Sequence, residues 1–287
     1  MGINLSELEK IKHGSSDFPI ALYRVTRDFP RYRMMCHWHV EYELIRVIEG
    51  SLLLKIDEKD FVLGAGDAIL IHGGNLHSGE PRNCIYECLV FGINPVTSLA
   101  GCREELSPLL ANDVFISRPY RYGTDNEIRH AIDCFFDAVS GEKKGYKLAA
   151  ISSLYRIFSL IIEKENYGER NGCISIPENR YINSFKKVIT WLEEHYSENI
   201  TLDDLAQVAG FSPKYFCRLF SKLTGRSPID YLNCYRVDRA SDMLTETEKP
   251  IIDIAAECGF YDLSYFVKVF KKYKGIPPGQ YRKRSGA

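Results

Sequence analysis

Three of the seven histidines in this 287-residue chain are spaced so that, with one glutamate, they can meet. The stretch HWHVEYELIRVIEG carries His37, His39 and Glu43, with Gly50 seven residues after the glutamate, and Gly66, Gly74 and His77 follow downstream. Along an extended strand the odd positions point one way, so His37, His39 and Glu43 share a face and a neighbouring strand can bring His77 to them. Three imidazoles and a carboxylate suit a divalent Zn, Fe, Mn or Ni ion. The same side chains, with Trp38 and Glu41 beside them, would also line a polar pocket, or be satisfied within a packed interior. Trp38, Tyr42, Tyr86 and Phe91 could stack on a flat ligand face and Arg24, Arg46 and Glu41 could orient a polar ligand, although such residues are as often plain core or surface.

A second pattern with chemical meaning lies near the other end. Lys214, Cys217, Arg218, Ser221 and Lys222 fall on one face of a helical period, opposite Phe216, Leu219, Phe220 and Leu223. Leu263, Ser264, Val267, Lys268, Lys271 and Lys272 do the same opposite Phe266, Val269, Phe270 and Tyr273. Both outward faces carry cations and no acid, as a helix that meets phosphates and base edges requires.

The elements that must position these groups follow from periodicity. From Phe18 to about Ser117, short β-branched and aromatic runs alternate with period two and are broken by Gly, Asp and Pro, which predicts an all-β sandwich or small barrel. Turns are expected at Glu49-Gly50 and Gly64-Ala65-Gly66-Asp67. From Asn126 to Asn166 the period becomes helical, first through Ile128, Ile132, Phe135 and Phe136, then through Leu148, Ile151, Tyr155, Phe158 and Ile162. Ala149, Ala150, Leu154, Leu160 and Ile161 widen the second stripe. It therefore has two readings, packing on the barrel or forming a homodimer seam around residues 148–164. Residues 167–180 are polar, with two glycines, a proline and no period, and are expected as a linker. The chain then divides into residues 1–166, the linker 167–180 and a helical domain 181–287.

The helical domain contains a repeat. Asp204, Ala206, Gly210 and Phe211 match Asp253, Ala255, Gly259 and Phe260. After one inserted residue, Tyr215, Phe216, Phe220, Gly225, Pro228 and Tyr231 match Tyr265, Phe266, Phe270, Gly275, Pro278 and Tyr281. Each copy reads as a short helix with an inward Ala, a Gly turn and a second capped helix, which is a helix-turn-helix. Ser212 with Pro213 opens the second helix of copy one and Gly225 stops it; Tyr261 or Asp262 and Gly275 do so in copy two. The span from Pro228 to about Thr245, with Tyr231, Leu232, Val237 and Leu244 inward, reads as one helix that fixes the separation of two readers.

These residues resemble the DNA-binding domain of the AraC/XylS family of bacterial transcription regulators. The resemblance rests on Ile200-Thr201-Leu202, Ala209-Gly210-Phe211, Tyr215-Phe216, Arg218 with Phe220, Thr224-Gly225, Ser227-Pro228, Tyr231-Leu232, Ile254-Ala255, Gly259-Phe260, Phe266 to Phe270, Gly275, Pro277-Pro278 and Tyr281-Arg282. It implies base or backbone contacts from Lys214, Cys217, Arg218 and Ser221, and from Leu263, Ser264, Val267 and Lys268. The His37, His39, Glu43 and His77 spacing resembles the two motifs of the cupin barrels, and its place ahead of the DNA-binding domain resembles the sensor domain of AraC-type regulators. Two positions depart from the cupin pattern: His72 stands where the second motif usually has Pro, and Pro81 where it often has Asn.

Composition sets the remaining bounds. Residues 181–287 hold 16 Lys and Arg against 13 Asp and Glu, while residues 1–180 hold 21 against 25, so a net charge of −1 conceals two halves of opposite sign. The basic half suits a nucleic-acid partner. Nine scattered cysteines without a CxxC pair argue for reduced thiols rather than disulfides or a thiolate zinc site. No apolar run long enough to span a bilayer and no leader-like N-terminus occurs, so the expected address is the cytoplasm with no membrane partner.

The expected protein is an effector-responsive, sequence-specific transcription regulator of promoter DNA. The resemblance further implies an activator acting with RNA polymerase, a small-molecule effector such as a sugar, carbohydrate-utilisation genes as targets, and no chemical step. The rival class is a metal-dependent cupin enzyme or metal sensor fused to a DNA-binding domain, and metal content after purification without chelator discriminates them.

Overall fold

A computed structural model describes residues 13–15, 17–29, 32–57, 59–110, 114–115, 118–169 and 176–285. The chain separates into two compact units, residues 1–179 and 180–287.

The first unit is built on two 15-residue strands that run antiparallel, β3 (Tyr42–Ile56) and β6 (His77–Phe91). The early half of β3 and the late half of β6 pair outward with β5 (Ala68–Ile71) and β1 (Ile20–Val25). Their other halves pair with β4 (Lys59–Gly64) and β2 (Met34–His37). Two four-stranded layers thus share the same two long strands. The strands bend where the β3–β6 register slips around Glu49. Glu49-Gly50, expected as a turn, is this irregularity inside β3. Gly50 has φ +72°, and an added Cβ there would lie 2.1 Å from the Asn83 carbonyl oxygen of β6, so no side chain fits. The expected turn at Gly64 to Asp67 does join β4 to β5, with the Gly64 N–H donating to Asp67 Oδ2 at 2.9 Å.

Alternation along the long strands supplies two cores. Odd positions of β3 (Ile45, Val47) turn inward with Leu52, Leu54, Leu63, Ile69, Cys84, Tyr86 and Cys88, and fill the space between the layers. Tyr42, Leu44, Leu89 and Phe91 face the other way and meet two helices, α4 (Asn126–Gly141) and α5 (Tyr146–Glu163). Between β6 and α4 lie the short helices α1 (Asn94–Thr97), α2 (Ala100–Glu105) and α3 (Ser107–Leu110) and the strand β7 (Val114–Phe115).

The wide apolar stripe of α5 is accounted for inside this unit. Ala150, Leu154, Ile157, Phe158, Leu160 and Ile161 are all buried with Phe135, Phe136 and the sheet. The exposed face holds Lys147, Leu148, Ser152, Arg156, Ser159 and Glu163, so the surplus apolar surface that made residues 148–164 a seam is covered by the chain's own elements.

Of the expected linker 167–180, Gly168–Glu169 forms β8, paired with β7, and the helix α6 (Ile176–His195) begins before its end; residues 170–175 lie outside the described residues. Pro177 does not break α6 because proline is tolerated in the first turn of a helix.

The second unit continues with α7 (Leu202–Ala209), α8 (Pro213–Thr224), α9 (Pro228–Glu246), α10 (Ile251–Glu257), α11 (Leu263–Lys274) and α12 (Pro278–Ser285). Thr201 and Asp204 close a reciprocal capping box at the start of α7. Asp262, rather than Tyr261, caps α11, its side chain accepting from the Tyr265 N–H at 2.8 Å. Tyr231, Leu232, Val237 and Leu244 of α9 are buried, and α9 touches α7, α8, α10, α11 and α12. Phe185, Phe216, Phe220 and Tyr231 stack around copy one, and Phe260, Phe266 and Phe270 around copy two.

Candidate functional site

The second helix of each repeat lays its aromatic stripe on the core and turns its basic residues outward. On α8, Phe216, Phe220 and Leu223 are buried, Lys214, Arg218 and Lys222 are exposed, and Cys217 and Ser221 are half-buried on the same side. On α11, Phe266, Val269 and Phe270 are buried, Leu263, Ser264, Lys268 and Lys271 are exposed, and Val267 is half-buried. Neither helix contains an acidic residue, so both outward faces are positive. Gly225 and Gly275 end the two helices in the left-handed conformation, which keeps each to twelve residues.

Lys272 is paired within the protein, its ammonium 2.6 Å from Asp230 Oδ1 of α9, as is the half-buried Lys274, 2.6 Å from Asp238 Oδ1. Burial raises the Asp230 carboxyl, but hydrogen bonds from Lys272, Tyr273 and Arg226 overcome this and hold it at about 2. Sequence reasoning missed two aromatics at the start of α11. Tyr261 is 77% exposed and Tyr265 48%, the latter accepting from Asn233 Nδ2 at 3.0 Å. The repeat alignment pairs Tyr265 with Tyr215 and so hid its exposure.

In the β unit the four expected polar residues do converge, by a different route. They do not share one strand: β2 ends at His37, His39 lies in the corner after it, and Glu43 is the second residue of β3. His37 pairs directly with His77 across β2 and β6. The bend of the long strands then folds Glu43, from the opposite layer, over that pair. Glu43 Oε2 lies 2.9 Å from His77 Nε2 and 3.4 Å from His39 Nε2. The His37 and His77 ring centroids are 4.2 Å apart. One ligand-type atom from each of the four residues falls within 4.8 Å of the others. His39, Glu43 and His77 are buried and His37 is half-buried.

Backbone carbonyls orient the rings. Nδ1 donates to the Met35 carbonyl at 2.8 Å in His37, to the Glu41 carbonyl at 3.0 Å in His39 and to the Asn75 carbonyl at 3.0 Å in His77. Asp57 holds the last of these segments, accepting from the Leu76 N–H at 3.0 Å and from Asn75 Nδ2 at 2.5 Å. Burial raises the Glu43 carboxyl, yet hydrogen bonds from His39 and His77 and their charge bring it well below the usual carboxylate range. Such a cluster can hold a cation or a polar ligand, or stand as a paired network.

The other expected pocket residues separate. Trp38 is half-buried, and Glu41 is partly exposed with Oε2 3.8 Å from His39 Nδ1. Arg24 and Arg46 are instead bound to Glu87 at 2.9 Å on the outer face of β6, and Arg46 also reaches Asp133 of α4 at 3.1 Å. Tyr42 and Phe91 are buried against Phe135 and Phe158, and Tyr86 is buried between the layers, so none of the three offers an open ring face. His72 donates from Nε2 to the Leu109 carbonyl at 2.9 Å and ties α3 to the sheet. The described cysteines are free; burial pushes the Cys36, Cys234 and Cys258 thiols up to about 12, and Cys173 lies outside the described residues.

Comparison with known proteins follows this division. Residues 19–158 match the AraC-like ligand binding domain and residues 205–284 match a helix-turn-helix domain. The chain is 26% identical to the uncharacterized HTH-type transcriptional regulator YdeC of Bacillus subtilis, over 98% of this chain and 96% of that protein. It is 22% identical to the HTH-type transcriptional activator RhaS of Klebsiella pneumoniae, over 82% of this chain and 83% of that protein. The fold is shared with an apo ToxT variant of Vibrio cholerae, at a TM-score of 0.51 and 16% identity over 94% of this chain and 98% of that one. A DNA-binding pair of helix-turn-helix units behind a ligand-binding β unit is therefore what this chain is, and it belongs to the AraC/XylS family of transcription regulators.

Proposed function

We propose that the protein is a cytoplasmic, one-component activator that binds two successive major-groove faces of promoter DNA through α8 and α11 and responds to a small ligand held in the β unit. The observation that carries this is the pair of acid-free basic helix faces joined by α9. Lys214, Cys217, Arg218 and Ser221 on one helix, and Leu263, Ser264, Val267 and Lys268 on the other, are assigned to base edges and nearby backbone. Lys222 and Lys271, further along, are assigned to phosphates. The activator sign is supported by the Klebsiella pneumoniae relative, a transcriptional activator, and implies contact with RNA polymerase.

The ligand site is assigned to His37, His39, Glu43 and His77 with Trp38 and Glu41 at its edge. The buried Tyr42, Tyr86 and Phe91 give no stacking platform for a sugar, so polar chemistry carries the assignment. No chemical step is proposed, since the relatives are regulators. Ligand binding shifts the population of arrangements that present the DNA unit, by no more than the ligand's differential affinity for them. A homodimer is proposed through the exposed face of α4 and α5, where Glu127, His130, Cys134, Ser152 and Arg156 line a groove.

Selection from a random duplex library with the full-length protein, followed by a salt titration of the winner, tests the reading. Two sequence blocks about one helical turn apart, with affinity falling steeply as salt rises, are expected. A winner with one block, or an affinity indifferent to salt, overturns it.

A further inference from the structure

The outward faces of α8 and α11 share a sign of charge but not a chemistry. The repeat sets Lys214, Cys217, Arg218 and Ser221 against Ser264, Val267, Lys268 and Lys271. α8 holds Arg218, its guanidinium 5.5 Å from the Tyr215 ring centroid, and α11 has no arginine. What α11 carries instead is Leu263 and Val267, one helical turn apart on the face that also holds Lys268. Leu263 is 40% exposed, and Val267 is half-buried, with one side against the core.

Neither residue is required by the helix or by the core. The buried stripe is complete with Phe266, Val269 and Phe270, and Asp262 caps the helix by accepting from the Tyr265 N–H at 2.8 Å. A leucine in the first helical position has no preceding turn of helix to lie over. A β-branched valine is a weaker helix former than the lysine beside it. Tyr261, just ahead of the cap, is exposed and extends the apolar surface.

Residues in the first turns of such a helix are the ones that reach base edges. Leucine and valine neither donate nor accept a hydrogen bond. Over guanine O6 and N7, or over the amino groups of cytosine and adenine, they would strip water from polar atoms and give nothing back. The major groove offers one alkyl group that they can cover, the C5 methyl of thymine. Leu263 and Val267 stand about 6 Å apart along the helix axis. That matches a reach of two base-pair steps of about 3.4 Å each. The planar fork of Arg218 suits the opposite case, the paired acceptors of guanine.

We propose that Leu263 and Val267 read thymine through its C5 methyl group, so that α11 selects a block with thymines within two steps of one another while α8 selects a block read by hydrogen bonds from Arg218 to guanine. The inference rests on the assignment of both helices to the major groove and names the base chemistry that each one selects.

The test uses the full-length protein and the duplex obtained by selection, with the thymines of each block replaced in turn by deoxyuridine, which removes the methyl group and keeps every hydrogen-bonding atom. Fluorescence anisotropy should show about a fourfold loss for each contacted thymine in one block, the worth of one buried methyl group, and none in the other. Leu263→Ala should bind the thymine duplex more weakly by a similar factor and lose its response to deoxyuridine at one position. Val267→Ala should do the same at a second thymine within two steps, whereas Arg218→Ala should keep both responses. Leu263 and Arg218 are exposed, so these two variants keep the fold, and circular dichroism checks this. Equal affinity for thymine and deoxyuridine duplexes, or a Leu263→Ala protein that still distinguishes them, overturns the inference and leaves the two-helix reading of DNA standing. Equal affinity would also give the Tyr261 and Leu263 surface to a protein partner instead. Absence of any specific two-block duplex overturns both readings.

Discussion

Lys272 of α11 and Asp230 of α9 are joined by a 2.6 Å ion pair, so one lysine on the outward side of the second reading helix is committed to the protein itself. Lys268, one turn earlier, has an exposed side chain. Lys268→Ala and Arg218→Ala are expected to weaken specific DNA binding by about 1–3 kcal/mol each while leaving the fold intact. Lys272→Ala should act mainly on stability. Fluorescence anisotropy on a specific duplex, with a urea melt of each variant, separates the two effects; equal affinity losses at Lys268 and Lys272 would contradict the distinction.

The same pair sets a pH window. Asp230 titrates near 2 in the folded chain against about 3.9 when unfolded, so its contribution is fully present above about pH 4 and is lost as pH falls toward 2. The carboxylate is partly solvated, which screens the contribution to about 1 kcal/mol. Asp230→Asn should remove that increment at pH 7 and flatten this part of the acid-unfolding curve. An unchanged curve would mean that the ion pair is silent.

Gly210 and Gly259 occupy the same position in the two repeats with φ of +73° and +79°, but their surroundings differ. A Cβ on Gly210 would meet nothing within 4 Å, whereas one on Gly259 would lie 2.8 Å from the Tyr196 carbonyl oxygen. Gly210→Ala should therefore cost about 1–2 kcal/mol for backbone conformation alone. Gly259→Ala should cost clearly more, because backbone must also move. Thermal unfolding of the two variants compares them directly, and equal losses would show that the second turn relaxes freely.

Leu154 and Phe158 are core residues of the β unit, so charging either one should abolish folding rather than produce a soluble monomer. Leu154→Ala should cost about 2–5 kcal/mol in chemical denaturation. Arg156→Glu, on the exposed face, should change stability by less than about 0.5 kcal/mol and, if the proposed homodimer forms there, give monomer in light scattering. A dimer that survives Arg156→Glu would place the interface on another face.

The parts legible in the sequence are those that local periodicity encodes. Phe216 and Phe220, repeated as Phe266 and Phe270, announce both the buried stripe and, by exclusion, the face that carries Arg218 and Lys268. His37, His39, Glu43 and His77 were legible as a set by type and spacing. Their route is not, because period-two alternation encodes neither the end of β2 at His37 nor the bend around Glu49 that folds one layer onto the other. Arg46 was unreadable for a similar reason: its partners Glu87 and Asp133 are 41 and 87 residues away. The broad apolar character of α5 was visible, but only the packed unit shows that α4 and the sheet absorb it.

The buried setting of α9 has a consequence for the duplex. At about 1.5 Å per residue its 19 residues form a strut roughly 28 Å long, with both reading units packed on it. On the proposed reading of two successive major-groove faces, a strut gripped by five helices does not stretch to suit an imperfect spacing, so the adjustment would fall to the nucleic acid. Base pairs between the two contacted blocks, which no side chain need touch, are then selected for compliance: flexible pyrimidine–purine steps accommodate the imposed bend or twist at lower cost than stiff A-tracts.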